Sequence, residues 1–245
     1  MSRSVPPARA VILTHRLLIR QLVTRGRVLA LLALGTLVMI VSAAVGASDE
    51  VDDRLEAGVE LMEMLGFTLA VPVVALVFAA AAFGDAREDG TLVYLWLRPM
   101  NRWPVVLGAW LAAITVSLPI TVVPLAFSAA LTRGGGSLVG ATVLAAIVGV
   151  LAYSAVFLLL GLLLKNSIVW GLGYVLIWEG IVATFGSAAN KLAIRGYTRS
   201  IITAQTDIDL DLGDVSLAAG VAVPLIVTVA ALLMASVRLG RLDVA

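Results

Sequence analysis

The sequence predicts an all-α integral membrane protein with six transmembrane helices, and three observations carry that reading. Of 245 residues, 61% are hydrophobic and only 13% are charged, against about 45–50% and about 25% in soluble domains. The mean hydropathy of +1.06 is more apolar surface than a core of this size could hide from water. Six segments reach the roughly 20 apolar residues that a helix needs to cross the hydrocarbon layer: 28–47, 61–83, 105–131, 138–164, 167–185 and 217–237. No internal repeat divides the chain, so 1–245 reads as a single transmembrane domain.

Taken in order, the elements begin with an amphipathic helix over 8–26. At about 100° per residue, Val11, Ile12, His15, Leu18, Ile19, Leu22 and Val23 share one face, with Arg9, Arg16, Arg20 and Arg27 along its edge. An apolar face bordered by arginines suits a helix lying in the headgroup layer, with His15 a face residue rather than a ligand. The span at 28–47 exceeds the apolar core of a cleaved signal peptide, which runs about 7–15 residues, and is read as retained. A glycine-rich turn at 132–137 joins the third and fourth spans, and Lys165-Asn166 joins the fourth and fifth. Pro72, Pro119, Pro124 and Pro224 fall inside spans, where neighbouring helices can compensate for the lost hydrogen bond. The extracytoplasmic segment 186–216 carries Lys191, Arg195 and Arg199, then Asp207, Asp209, Asp211 and Asp214. Those aspartates lack the glycine and closing glutamate of a calcium loop and read as a solvated acidic loop.

Orientation follows from the basic residues. With the N-terminus cytoplasmic, twelve of the 17 Lys and Arg lie on the inner side, leaving Arg54, Arg133, Lys191, Arg195 and Arg199 outside. The positive-inside bias therefore places both termini in the cytoplasm.

Composition also excludes chemistry. A net charge of +1 gives no electrostatic basis for nucleic-acid binding. The chain has no cysteine and one histidine, His15, which rules out thiolate and multi-histidine metal sites. No GxxxxGK[ST] phosphate loop occurs, so no cofactor site and no ATP site are expected in this chain. Enzyme readings fail on the same residues: an intramembrane serine protease needs a histidine within the spans. Asp85 and Asp89 do not reproduce the ordered aspartates of a CDP-alcohol phosphotransferase. The expectation is a non-enzyme with no catalytic residues.

The inner loop at 84–103 is the most informative segment. Asp85 and Glu88 have the spacing of a capping box, and Thr91 after Gly90 could cap a further short helix. Leu92, Leu95 and Trp96 then fall on one face, and Pro99 ends the turn. A short helix with an apolar ridge is a docking element. The run Glu88-x-Gly90-Thr91-Leu92, followed by Leu95, Pro99 and Arg102, resembles the signature of ABC type-2 exporter permeases. The segment from Tyr174 through Trp178-Glu179 to Gly180 is similar to the fifth span of many bacterial members, so the resemblance covers nearly the whole chain.

That resemblance implies the permease subunit of an ATP-driven exporter in the bacterial cytoplasmic membrane. Its expected partners are a second permease copy or homologue and two copies of a separate ATPase, which would bind the ATP. The 84–103 loop would be the coupling helix, with Glu88, Gly90, Thr91, Leu92, Leu95, Trp96, Pro99 and Arg102 forming the contact. In the family, the segment before the last span forms short outer helices that dip partway into the membrane.

Within the fifth span lies Glu179, beside Trp178. A carboxylate at a helix centre costs about 2.5–3.5 kcal/mol on insertion scales, so it must face protein or water. It reads either as a group on the translocation route or dimer seam, or as a structural carboxylate bonded to a neighbouring helix or to Arg195 or Arg199. Glu63 lies near the outer end of the second span, where water is close, and reads more strongly as a structural carboxylate. Two alternatives remain: an ion-coupled secondary transporter carrying its proton on Glu179, though such folds often show two related halves, and a non-transporting membrane assembly subunit.

Overall fold

A computed structural model describes residues 6–88, 102–185, 187–208 and 215–241, and every regular element among them is helical. In chain order these are α1 (Pro7–Leu22), α2 (Arg25–Ala47) and α3 (Arg54–Leu61). A π-helical segment (Met62–Ala70) leads without a break into α4 (Val71–Glu88). After α5 (Arg102–Leu131) and α6 (Gly136–Leu163) comes α7 (Ser167–Gly173), extended by a second π-helical segment (Tyr174–Glu179). A 3₁₀ turn (Val182–Thr184), α8 (Ser187–Asn190), α9 (Ile194–Thr206) and α10 (Leu217–Arg241) complete the chain. Five helices, Arg25–Ala47, Arg54–Asp85, Arg102–Leu131, Gly136–Leu163 and Leu217–Arg241, are long and apolar enough to cross a membrane. The chain is a multi-pass, all-α membrane protein by that criterion.

The bundle is built on small residues. Without a hydrophobic force between helices in lipid, association depends on close backbone approach. Ala75 and Ala79–Ala82 of α4, Ala109, Ala112 and Ala113 of α5, and Ala145, Ala146 and Ala152 of α6 are all buried. Gly161 lets α6 meet α4 so closely that an added Cβ would lie 2.7 Å from the Ala80 carbonyl oxygen. In the most apolar window of each spanning helix, the buried share is 67%, 56% and 61% for the second, third and fourth, but 22% for α2 and α10. The three inner helices form the core and α2 and α10 its rim.

Contacts define two ends. At one, Arg27 at the start of α2 pairs with Asp85 of α4 at 2.9 Å, and Ser167 lies against Gly84. At the other, Asp53 caps α3 by accepting from the N–H groups of Leu55 and Glu56. Arg54 donates to the carbonyls of Gly46 and Ser48 there, closing the end of α2, and Gly58 packs on Thr132 and Leu138.

Three expectations change. The amphipathic helix ends at Leu22, and the face it buries on α5 is turned: Ala10, Leu18 and Leu22 are inside, whereas Ile12 and Val23 are exposed. The seat is fixed by Gly108, whose Cβ would lie 2.7 Å from the Val11 carbonyl oxygen, and by His15 Nε2, 3.1 Å from Thr115 Oγ1. Asp85 does not open a new helix; it sits in the last turns of α4, where Arg27 claims its carboxylate. The 167–185 segment is continuously helical only over Ser167–Glu179, with a 3₁₀ turn at Val182–Thr184 beyond it. At about 1.5 Å per residue, those 13 residues span roughly 20 Å, short of the bilayer core.

Candidate functional site: a buried ionic cluster where the fifth apolar segment breaks

The helix that leaves Ser167 first widens and then stops. Over Tyr174–Glu179 the ladder shifts to the π pattern, with Gly180 N–H donating to the Val175 carbonyl at 2.9 Å. Such π turns insert a residue and re-aim side chains. After the 3₁₀ turn and α8, the chain restarts as α9. Its N-cap residue, Ala193, offers no side-chain acceptor.

Glu179 supplies the missing cap from fourteen residues earlier in the chain. Its Oε1 accepts from the Ile194 N–H and its Oε2 from the Arg195 N–H, both at 3.1 Å. A carboxylate there satisfies orphan donors and meets the positive end of the helix. The Tyr174 hydroxyl donates to Oε1 at 2.7 Å. The residue is fully buried, with three donors on its two oxygens.

Arg195 ties this cap to the rest of the bundle. Its Nη1 donates to the Glu179 backbone carbonyl at 2.9 Å, while Nε and Nη2 donate to Glu63 Oε1 at 3.0 and 2.6 Å. Arg199 Nη1 stands 3.6 Å from the same oxygen. Glu63 lies on the other π-helical segment, so both carboxylates of the cluster sit where helical winding departs from α. Two carboxylates and two guanidiniums balance in charge. That balance is how a buried ionic group survives in an apolar setting, since an unpaired one would be very costly. Beneath it, Tyr153 stacks on Phe157 at 5.8 Å, and Phe157 meets Tyr174 edge-on at 6.2 Å. The Tyr153 hydroxyl and Glu63 Oε2 are buried without a hydrogen-bond partner among the described residues.

The cluster joins elements of different depth. Thr198 of α9 lies against Gly149, the middle of α6, whereas Gln205 approaches Gly140 near its start. Thus α9 climbs from the midpoint of the bundle toward the Gly58–Thr132 end, and Ser167–Glu179 approaches that midpoint from the Gly84 end.

Sequence reasoning located part of this. Glu179 does bond a neighbouring helix, and Arg195 does meet it, but through its backbone N–H on the carboxylate. Trp178, one residue earlier, is half-buried. Glu63 is a structural carboxylate, though not one near water: it is 7% exposed and held by Arg195 and Arg199, because α9 folds back over it. Tyr174 and Tyr153 were not singled out as partners. Of the residues expected to form a coupling contact, Glu88 ends α4 and Arg102 begins α5. Gly90, Thr91, Leu92, Leu95, Trp96 and Pro99 lie outside the described residues, as do Asp209, Asp211 and Asp214. No protein-family model and no curated protein sequence matches the chain.

Proposed function

We propose that this chain is the membrane-spanning permease subunit of an ATP-driven exporter of the ABC type-2 kind, working with a separate ATPase in a bacterial cytoplasmic membrane. The observation that carries the reading is the run Glu88-x-Gly90-Thr91-Leu92…Leu95…Pro99…Arg102 in the connection between two core helices. That connection leaves α4 three residues after Asp85, at the end of the bundle where α1 packs on α5. An ATPase docked there would push on α4 and α5 together. The helical pair Ser167–Glu179 and α9 supports the same reading: taken as one crossing in two halves, it would give the six crossings and the cytoplasmic termini that the proposal requires. Because α9 packs on α6 and α10 through Ile194, Ile201 and Ile202, a shift of the core helices would carry it along.

Glu179 has its acceptors occupied by Tyr174 and two backbone N–H groups, which argues for a structural carboxylate over a proton carrier and weakens the secondary-transporter alternative. The test is affinity purification of the full chain from its own membranes in mild detergent. An ATPase subunit bearing a phosphate-binding loop should co-purify in equal amount. Purification of the chain with no nucleotide-binding protein would overturn the proposal.

A further inference from the structure

We infer that the outward face of α1 is a binding site for an anionic phospholipid at the membrane surface. The inference needs only that the chain spans a membrane and stands apart from the exporter reading. With Ala10, Leu18 and Leu22 buried on α5 and Gly108 fixing the approach, the opposite face of α1 cannot turn inward. At about 100° per residue, Arg9, Arg16 and Arg20 fall within a narrow strip at the centre of that face. All three are exposed, and none has an ion pair or side-chain hydrogen bond among the described residues. Beside the strip, Leu13 and Leu17 are 50% and 64% exposed. Leu13, Arg16, Leu17, Arg20 and Gln21 line a shallow groove of about 600 Å³.

Position decides the occupant. The helix passes through Val23-Thr24 directly into the first spanning helix, so the groove sits where the bilayer surface begins. A phosphodiester headgroup matches two neighbouring guanidiniums, which bind phosphate in a bidentate fork. The exposed leucines then cover the first part of an acyl chain. Neither a zwitterionic lipid, whose own cation would face the arginines, nor a soluble anion, which would leave the leucines wet, matches both halves of the site.

The experiment uses the full-length chain released from nanodiscs of equal parts phosphatidylcholine and phosphatidylglycerol, with retained lipids counted by native mass spectrometry. The wild type should retain phosphatidylglycerol in preference. The preference should fall roughly fivefold for each arginine removed in Arg16→Gln/Arg20→Gln and recover only in part in Arg16→Lys/Arg20→Lys, which restores the charge without the fork. Leu13→Ser/Leu17→Ser should weaken retention of the same lipid. Equal retention of both lipids by the wild type would overturn the inference without help from any variant. So would an unchanged preference in the glutamine variant, or full displacement of the lipid by inorganic phosphate. If the glutamine variant kept its lipids but lost a co-purifying protein, the strip would belong to that protein, and the lipid assignment would be wrong.

Discussion

Glu179 shows how one residue can settle between two roles. Its carboxylate accepts from Tyr174 and from two backbone N–H groups at the start of α9. Glu179→Gln would present an amide N–H to one of those donors, leaving a buried group unpaired at about 1–3 kcal/mol. The variant should therefore lose thermal stability and membrane abundance, measured by size-exclusion chromatography after heating. Normal abundance with a loss confined to transport would return Glu179 to the translocation route. Glu63 and Arg195 make a sharper case. Removing Glu63 strands the Arg195 guanidinium at about 3–5 kcal/mol, whereas removing Arg195 leaves Glu63 with only the longer Arg199 contact at 3.6 Å. Removing both, as Glu63→Gln/Arg195→Gln, should destabilise by clearly less than the sum, and a double-mutant cycle in unfolding midpoints reads the coupling. Additive effects would mean that the pair does not interact. A structural role for Glu63 was legible in the chain, but its burial and its seat against Arg195 were not. Glu63 and Arg195 are 132 positions apart, and only the return of α9 into the bundle removes the carboxylate from water.

At the scale of elements, length and hydropathy were enough for five helices, because apolar runs of that length have few other stable forms in lipid. The broken one escaped. Its 167–185 run is apolar apart from Glu179, and the stop depends on a carboxylate claimed by Ile194 and Arg195 further along the chain. The seat of α1 was half legible: periodicity marks an apolar side, but the turn of that side toward α5 is set by the gap at Gly108. Because the chain has no cysteine, this packing can be tested cleanly. His15→Cys with Thr115→Cys should be bridged by a short bifunctional thiol reagent, whereas Leu17→Cys with Thr115→Cys should not. Adding Gly108→Val should abolish the first bridge by pushing α1 away. A bridge that forms equally from position 17 would show α1 to be loosely held.

For the whole molecule, the count of crossings matters most. If Ser167–Glu179 and α9 together complete one crossing, reporter fusions at Ala245 and Asp53 should give cytoplasmic and external signals respectively. If the chain crosses only five times, the Ala245 reporter would appear outside. The central functional claim is that the 84–103 connection hands ATP-driven motion to α4 and α5. The apolar ridge Leu92, Leu95 and Trp96 would contribute about 1.5–3 kcal/mol per large side chain on burial in a partner, and two aspartates would replace that contribution with desolvated charge. The most direct measurement compares ATP hydrolysis co-purifying with the wild-type chain and with Leu95→Asp/Trp96→Asp, at matched membrane abundance. The account predicts hydrolysis with the wild type and its loss from the variant. Equal hydrolysis in both preparations would contradict it.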